Sequence, residues 1–142
     1  MKKVFLGGTI TTPKNWRTEF IKMIEPINYF NPIVEDWNDD AQATEELEKW
    51  HRCSIHLYVI TPEHKGFFTF AELIDSIYLQ KQINKEDNYT IFCPLREYNN
   101  IRFEDEDYNS IRAISKIVKR INNTNAFVVE QLNDAAELIK KL

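Results

Sequence analysis

Five short strand-like runs alternate with stretches of helical spacing along this chain, and that alternation restricts its fold more than any other feature. Lys3 to Gly8 is an apolar run ending in Gly7-Gly8-Thr9. Ile27 to Phe30 stops at Asn31-Pro32, because proline disfavours helix in the residue before it and cannot donate to a strand ladder. Ser54 to Ile60 ends at Thr61-Pro62, Tyr89 to Cys93 ends at Pro94, and Asn125 to Val129 is the fifth run. Between them, Pro13 to Ile24 repeats Trp16, Phe20, Ile21 and Ile24 at helical intervals, and Tyr108 to Ile121 does so through Ile111, Ile114, Ile117 and Val118. Ala41 to Arg52 sets Glu45, Glu46 and Glu48 ahead of Lys49 and Arg52, the order that the helix dipole favours. Thr69 to Gln80 and Leu132 to Leu142 complete the helices. The pattern predicts an α/β fold: a five-stranded parallel sheet with helices on both faces, right-handed crossovers, and one domain over 1–142.

With 142 residues, 43% of them hydrophobic, the chain has enough apolar surface to bury a core without disulfides or a structural metal. Val4 to Ile10 is too short for a secretory signal and no run approaches a membrane span, so a cytoplasmic protein with no membrane partner is expected. The net charge of −4, with lysines mixed among acids, argues against a nucleic acid polymer as partner, because such binders carry a basic stripe. Glu104-Asp105-Glu106-Asp107 reads as a solvated approach to a helix N-terminus. Cys53 and Cys93 fit neither a redox pair nor a zinc pattern and read as buried small hydrophobes. His51, His56 and His64 form no ligand set, so neither a metal nor a cofactor is expected.

The segment Gly66-Phe67-Phe68-Thr69-Phe70-Ala71-Glu72-Leu73-Ile74-Asp75 sets a carboxylate in an apolar run just after the third strand. Ligands of open parallel sheets sit beyond the carboxyl ends of the strands, so Glu72 would face that crevice. Two plainer accounts compete: Glu72 as an ordinary first-turn acid, or as the partner of an N-cap Thr69 in a capping box. The first loop, Gly7-Gly8-Thr9, permits close approach of backbone to a sugar or a phosphate, and equally serves as a simple tight turn. In the loop after the second strand, Trp37 offers a stacking face and Asp36 an acceptor; burial of Trp37 against the core is the alternative.

Three landmarks in order, Phe5-Leu6-Gly7-Gly8-Thr9-Ile10 with Trp16-Arg17, Phe30-Asn31-Pro32 with Asp36-Trp37, and Tyr58-Val59-Ile60-Thr61-Pro62 leading to Ala71-Glu72-Leu73, resemble the nucleoside 2-deoxyribosyltransferase-like family, which also includes deoxynucleotide N-hydrolases. The resemblance implies a flavodoxin-like three-layer sandwich and makes Glu72 the nucleophile that attacks the anomeric carbon of the sugar. Such a carboxylate suits cleavage of an N-glycosidic bond, because it stabilises or captures the oxocarbenium character that develops at that carbon. An upstream acid of the family, eight residues before the pair that opens the third strand, corresponds to Glu46 when counted back from Ser54. Glu46 is therefore the implied proton donor or sugar-orienting group, and a solvated acid beside Glu45 and Glu48 is its plain alternative. Asp75, three residues after Glu72, either couples to these acids or points outward.

This chain also departs from the family pattern. Ile74 follows Glu72-Leu73 in place of glycine, Gly66 stands where a polar residue is usual, Val4 replaces a first-strand tyrosine, and Thr11 stands where the hydrolase branch has an arginine, for which Lys14 or Arg17 would substitute. The resemblance implies transfer of a deoxyribosyl group between bases, a small-molecule nucleoside or nucleotide as ligand, and a homo-oligomer. The alternatives are a nucleoside monophosphate N-hydrolase and a nucleotide-binding or sensing module without turnover.

Overall fold

The computed structural model describes residues 2–10, 15–63, 67–83, 87–121 and 124–142. Thr11, Pro13, Lys14, His64 and Gly66, to which the sequence assigns a role or a boundary, lie outside them. The elements run β1 (Lys3–Gly8), α1 (Trp16–Ile24), β2 (Asn28–Phe30), α2 (Asp39–Leu47) with a π-helical turn (Glu48–Arg52), β3 (Ile55–Ile60), α3 (Phe67–Ile83), β4 (Tyr89–Pro94), β5 (Glu97–Tyr98), β6 (Ile101–Arg102), α4 (Asp105–Ile121), β7 (Ala126–Val128) and α5 (Leu132–Lys141). Five strands form one parallel sheet in the order β2-β1-β3-β4-β7, the arrangement of a flavodoxin-like α/β sandwich.

Strand alternation divides the core in two. Val4, Leu6, Leu57, Val59, Ile91 and Cys93 point to one face and pack with Trp16, Phe20 and Ile24 of α1 and with Ala135, Ala136 and Ile139 of α5. Phe5, Tyr58, Ile60 and Phe92 point to the other face, against Leu73 and Ile77 of α3 and Tyr108, Ile111 and Val118 of α4. Period-two side-chain direction in the strands and 3.6-residue spacing in the helices produce these layers. Each fully buried aliphatic or aromatic side chain contributes roughly 1.5–3 kcal/mol. Both cysteines are buried free thiols, and burial pushes the Cys53 thiol up to about 12.

Local chemistry sets the helix ends. Asn15 Oδ1 accepts from Arg17 N at 2.7 Å to start α1, and Asn38 Oδ1 accepts from Ala41 N at 2.9 Å to start α2. Asp105, Glu106 and Asp107 occupy the first turn of α4, as the acidic run implies.

Three details differ from the sequence reading. The helix expected over 41–52 stays α-helical only to Leu47 and then widens by one residue per turn, closed by Cys53 N to Glu48 O at 2.8 Å. This widening lets Glu48 turn inward, where it pairs with Lys3 at 2.6 Å and Arg52 at 3.0 Å. Thr69 lies inside α3, which starts at Phe67, so it is not the N-cap and the capping box does not form. The polar loop after β4 holds a short antiparallel hairpin, β5 and β6, turned by Asn99 (φ 51°) and Asn100 (φ 63°). Two successive positive φ values are what a two-residue hairpin turn requires, and asparagine tolerates them.

Candidate active site

A cavity of about 580 Å³ opens at the carboxyl end of β1, where the chain leaves the middle of the sheet for strands on either side. Its walls come from five places: Gly7, Gly8 and Thr9 of β1 and its exit, Arg17 of α1, Pro32, Ile33, Val34 and Trp37 after β2, Gln42, Glu45, Glu46 and Lys49 of α2 and the π turn, and Phe68, Thr69 and Glu72 of α3. Concave sites of a few hundred Å³ with apolar walls and few polar groups are the usual form of small-molecule sites. Strand switch points are their usual location in parallel sheets.

The exit of β1 is built around its glycines and Arg17. A Cβ on Gly7 would lie 2.6 Å from Tyr58 Cδ1, so glycine leaves room for that buried ring. Gly8 takes φ +120° against the backbone of Val59. Beyond it, Thr9 N donates to Val59 O at 2.8 Å and Thr9 Oγ1 accepts from Thr61 N at 3.0 Å, which ties the ends of β1 and β3 together. The carbonyls freed at this exit are collected by Arg17: Nε donates to Leu6 O at 2.9 Å, Nη1 to Thr9 O at 2.8 Å and Nη2 to Gly8 O at 3.3 Å. Arg17 is 1% exposed, and burial lowers its guanidinium to about 10, opposed by the charges of Glu72 and Glu45.

Opposite this exit, Lys49 stands between two carboxylates. Its Nζ lies 2.6 Å from Glu72 Oε2 and 3.8 Å from Glu45 Oε1, with side-chain exposures of 11% for Lys49, 14% for Glu72 and 18% for Glu45. The ammonium also lies 4.9 Å from the centre of the Phe5 ring, a cation–π contact that helps hold it. Burial raises the Glu45 carboxyl above its ordinary value; Lys49 opposes the rise, and the charges of Glu72 and Glu46 add to it.

Lys49 is fixed from behind as well. Its carbonyl lies 2.6 Å from His56 Nε2, and His56 Nδ1 lies 3.1 Å from Ser76 Oγ, which in turn bonds the Tyr58 hydroxyl. A carbonyl only accepts, so Nε2 carries the proton and Nδ1 accepts from Ser76. Burial, with the Lys49 charge adding, lowers the His56 imidazole to about 4 against backbone bonds that favour its protonation. In the unfolded chain it takes a proton near the ordinary 6.5, so its contribution to stability is complete above that value and drains away as pH falls toward about 4. A loss on the order of 3 kcal/mol is expected across this window. Urea midpoints at pH 7 and pH 4.5 should differ clearly in the wild type and much less in His56→Gln.

Of the residues nominated from sequence, Glu72, Glu46, Gly7, Gly8, Thr9 and Trp37 line the cavity, with Glu46 exposed at its mouth. Asp36 and Asp75 are exposed and outside its lining. Trp37 is 58% exposed, which rules out its burial against the core. Lys49, Glu45 and Arg17 are the members that the sequence reading did not place around Glu72. The spacing of Glu45 and Lys49 signals their pairing on one helix face, whereas Lys49 and Glu72 are 23 residues apart and no local pattern joins them. Among the described residues no group of His, Cys, Asp and Glu gathers to hold a metal, and no helix is long and apolar enough to cross a membrane.

Fold and cavity together define an α/β protein with a carboxylate-bearing small-molecule site at the switch point of its sheet. A family model described as nucleoside 2-deoxyribosyltransferase like matches residues 1–84, which include every residue lining the cavity, and the chain belongs to that family. Among solved structures, the chain is similar to a conserved protein from Enterococcus faecalis V583, with a TM-score of 0.57 and 11% identity over 99% of this chain and 98% of that one. At that identity the likeness supports the fold alone. No curated protein matches the chain.

Proposed function

We propose that the protein cleaves the N-glycosidic bond of nucleosides or nucleotides and transfers the sugar to another base, with 1–142 working as one domain. The observation that carries this reading is Glu72, which lines the cavity with one oxygen held by Lys49 at 2.6 Å and little exposure to solvent. Attack on carbon needs a carboxylate oxygen held in place beside the sugar, and the contact with Lys49 orients one. In the first step the bond from Glu72 to the anomeric carbon forms as the bond to the base nitrogen breaks. The nitrogen keeps the electron pair and takes a proton from an acid of α2, Glu46 or its neighbour Glu45. In the second step an incoming base displaces Glu72. Water in that role gives hydrolysis.

The remaining walls suit such a ligand. Trp37 and Phe68, 58% and 76% exposed, present aromatic faces for a base, and the Gly7-Gly8-Thr9 exit supplies main chain and a hydroxyl beside the sugar. Asp36 and Asp75 would come into play only at the rim. Among the described lining residues both cations are engaged, Arg17 with main-chain carbonyls and Lys49 with Glu72, which favours nucleosides over their 5′-monophosphates. Ile10, Val34, Trp37 and Phe68 leave apolar surface at the mouth, which supports a homo-oligomer in which a neighbour covers it. We place this activity in the cytoplasm.

Incubation with 2′-deoxynucleosides, with and without a second free base, tests the reading by its products. A new nucleoside in the presence of acceptor is expected, and free base alone would assign the hydrolase instead. A thermal shift with nucleosides but no base released in either case would leave a binding module and sink both.

A further inference from the structure

Lys49 and the two carboxylates beside it suggest more than a pinned nucleophile. We propose that Lys49 serves two carboxylates in turn, Glu72 before the sugar is captured and Glu45 afterwards, and that Glu45 is the acid that gives its proton to the departing base. This inference rests on the glycosyl-transfer reading of Glu72.

The geometry assigns the roles. Nζ sits 2.6 Å from Glu72 and 3.8 Å from Glu45, so a slight swing of the ammonium exchanges the close partner. The backbone that carries Lys49 is held in place. The Lys49 carbonyl is bonded to His56 Nε2 at 2.6 Å, and His56 is bonded to Ser76, one turn beyond Glu72 on α3. The π turn and the nucleophile's helix are thus registered to each other, so the exchange needs a movement of the Lys49 side chain and none of the backbone. Widened turns of this kind are frequent at functional sites.

The charge balance follows. The proposed step begins with the transferable proton on Glu45 and the attacking oxygen on Glu72, both beside the Lys49 ammonium. Attack converts Glu72 to a neutral glycosyl ester, breaks the bond to the base and moves the Glu45 proton to the base nitrogen. Glu45 is then the anion, Glu72 is neutral and Lys49 is still the cation. The trio has the same net charge before and after, so no charge is created or lost in a site shielded from water. Uncompensated charge in such surroundings is costly.

Glu45 fits the acid's role better than Glu46 on burial and contacts. Glu45 is 18% exposed at the side chain and faces Lys49 from the π turn, Glu72 from α3, Glu46 from its own helix and Arg17 from α1. Glu46 is exposed at the mouth. Burial, Glu72 and Glu46 push the Glu45 carboxyl up against the opposing charges of Lys49 and Arg17, the direction that suits an acid. Lys49 touches Glu72 and Glu45 rather than the sugar, and is a positioning residue.

Two measurements on the full chain test this. The first is turnover with a 2′-deoxynucleoside and with 4-nitrophenyl 2-deoxyriboside, whose leaving group needs no proton. Glu45→Gln is expected to lose about 10²–10⁴-fold with the nucleoside and far less with the nitrophenyl compound. Lys49→Met is expected to lower both rates together, with partial rescue in Lys49→Arg. Leaving-group dependence in Glu46→Gln instead of Glu45→Gln overturns the assignment of the acid. The second is carboxyl ¹³C titration by NMR, which does not depend on turnover. The Glu45 signal should titrate lower in Glu72→Gln, where Lys49 turns to it, and higher in Lys49→Met; a midpoint unmoved in both variants overturns the sharing of Lys49. Base release that survives in Glu72→Gln would instead defeat the glycosyl-transfer reading, and the catalytic use of Lys49 with it.

Discussion

Glu72→Gln is expected to reduce base exchange by on the order of 10³-fold or more, the scale on which loss of a nucleophile acts in other enzymes. The amide keeps the length and shape of the side chain, but it has no anionic oxygen to offer carbon. The fold should not suffer. Glu72 belongs to the cavity wall, while the residues that pack α3 on the sheet are Leu73 and Ile77, both buried. Lys49 retains Glu45 within 3.8 Å, so no ammonium is left buried without an anion. The thermal midpoint and the far-UV circular dichroism of the variant should match the wild type closely. Exchange that persists in Glu72→Gln at more than about a tenth of the wild-type rate would remove Glu72 from the chemistry, because a nucleophile is not replaced so cheaply.

Much of this fold is legible in the sequence because its signals are local. Alternation in Val4-Phe5-Leu6 and Leu57-Tyr58-Val59-Ile60 sends side chains to two cores, which requires a sheet covered on both faces. Pro32, Pro62 and Pro94 mark where strands end or loops begin, and Glu72 stands near the cavity because it follows a strand end in sequence. What failed was equally local in cause. Thr69 and Glu72 have capping-box spacing, but the apolar Phe67 and Phe68 extend the helix ahead of them. The hairpin turned by Asn99 and Asn100 went unread, because its strands are two residues each and too short for periodicity to register. Lys49 was hidden for a different reason. Its side chain reaches Glu72 from a turn that widens after Leu47, where Glu48 pairs with Lys3, a residue 45 positions away, and no local pattern signals either contact. Arg17 was read as a substitute phosphate ligand, since nothing in sequence shows that the carbonyls of Leu6, Gly8 and Thr9 claim its donors.

The largest loss of stability is expected from the smallest substitution, Gly8→Ala. Gly8 has φ +120°, where L side chains are rarely found, and a Cβ there would lie 2.0 Å from Val59 O and 2.6 Å from Val59 N. These are main-chain atoms of the neighbouring strand and cannot rotate away. To admit the methyl group, the ends of β1 and β3 must separate, which breaks Thr9 N to Val59 O and Thr61 N to Thr9 Oγ1 and shifts the carbonyls that Arg17 binds. Several buried polar groups then lose partners at once, each at roughly 1–3 kcal/mol. The sum rivals the 5–15 kcal/mol that typically holds a domain of this size together, roughly speaking. Gly7→Ala provides the internal comparison. Its Cβ meets a ring, Tyr58 Cδ1 at 2.6 Å and Cε1 at 2.7 Å, and a side chain can yield where a strand cannot. Overpacking of that kind costs about 1–3 kcal/mol. Urea denaturation should therefore rank wild type above Gly7→Ala, with Gly8→Ala far below or unable to accumulate as folded protein. Should Gly8→Ala unfold within about 1 kcal/mol of wild type, the backbone contact between Gly8 and Val59 is not what shapes this end of the cavity.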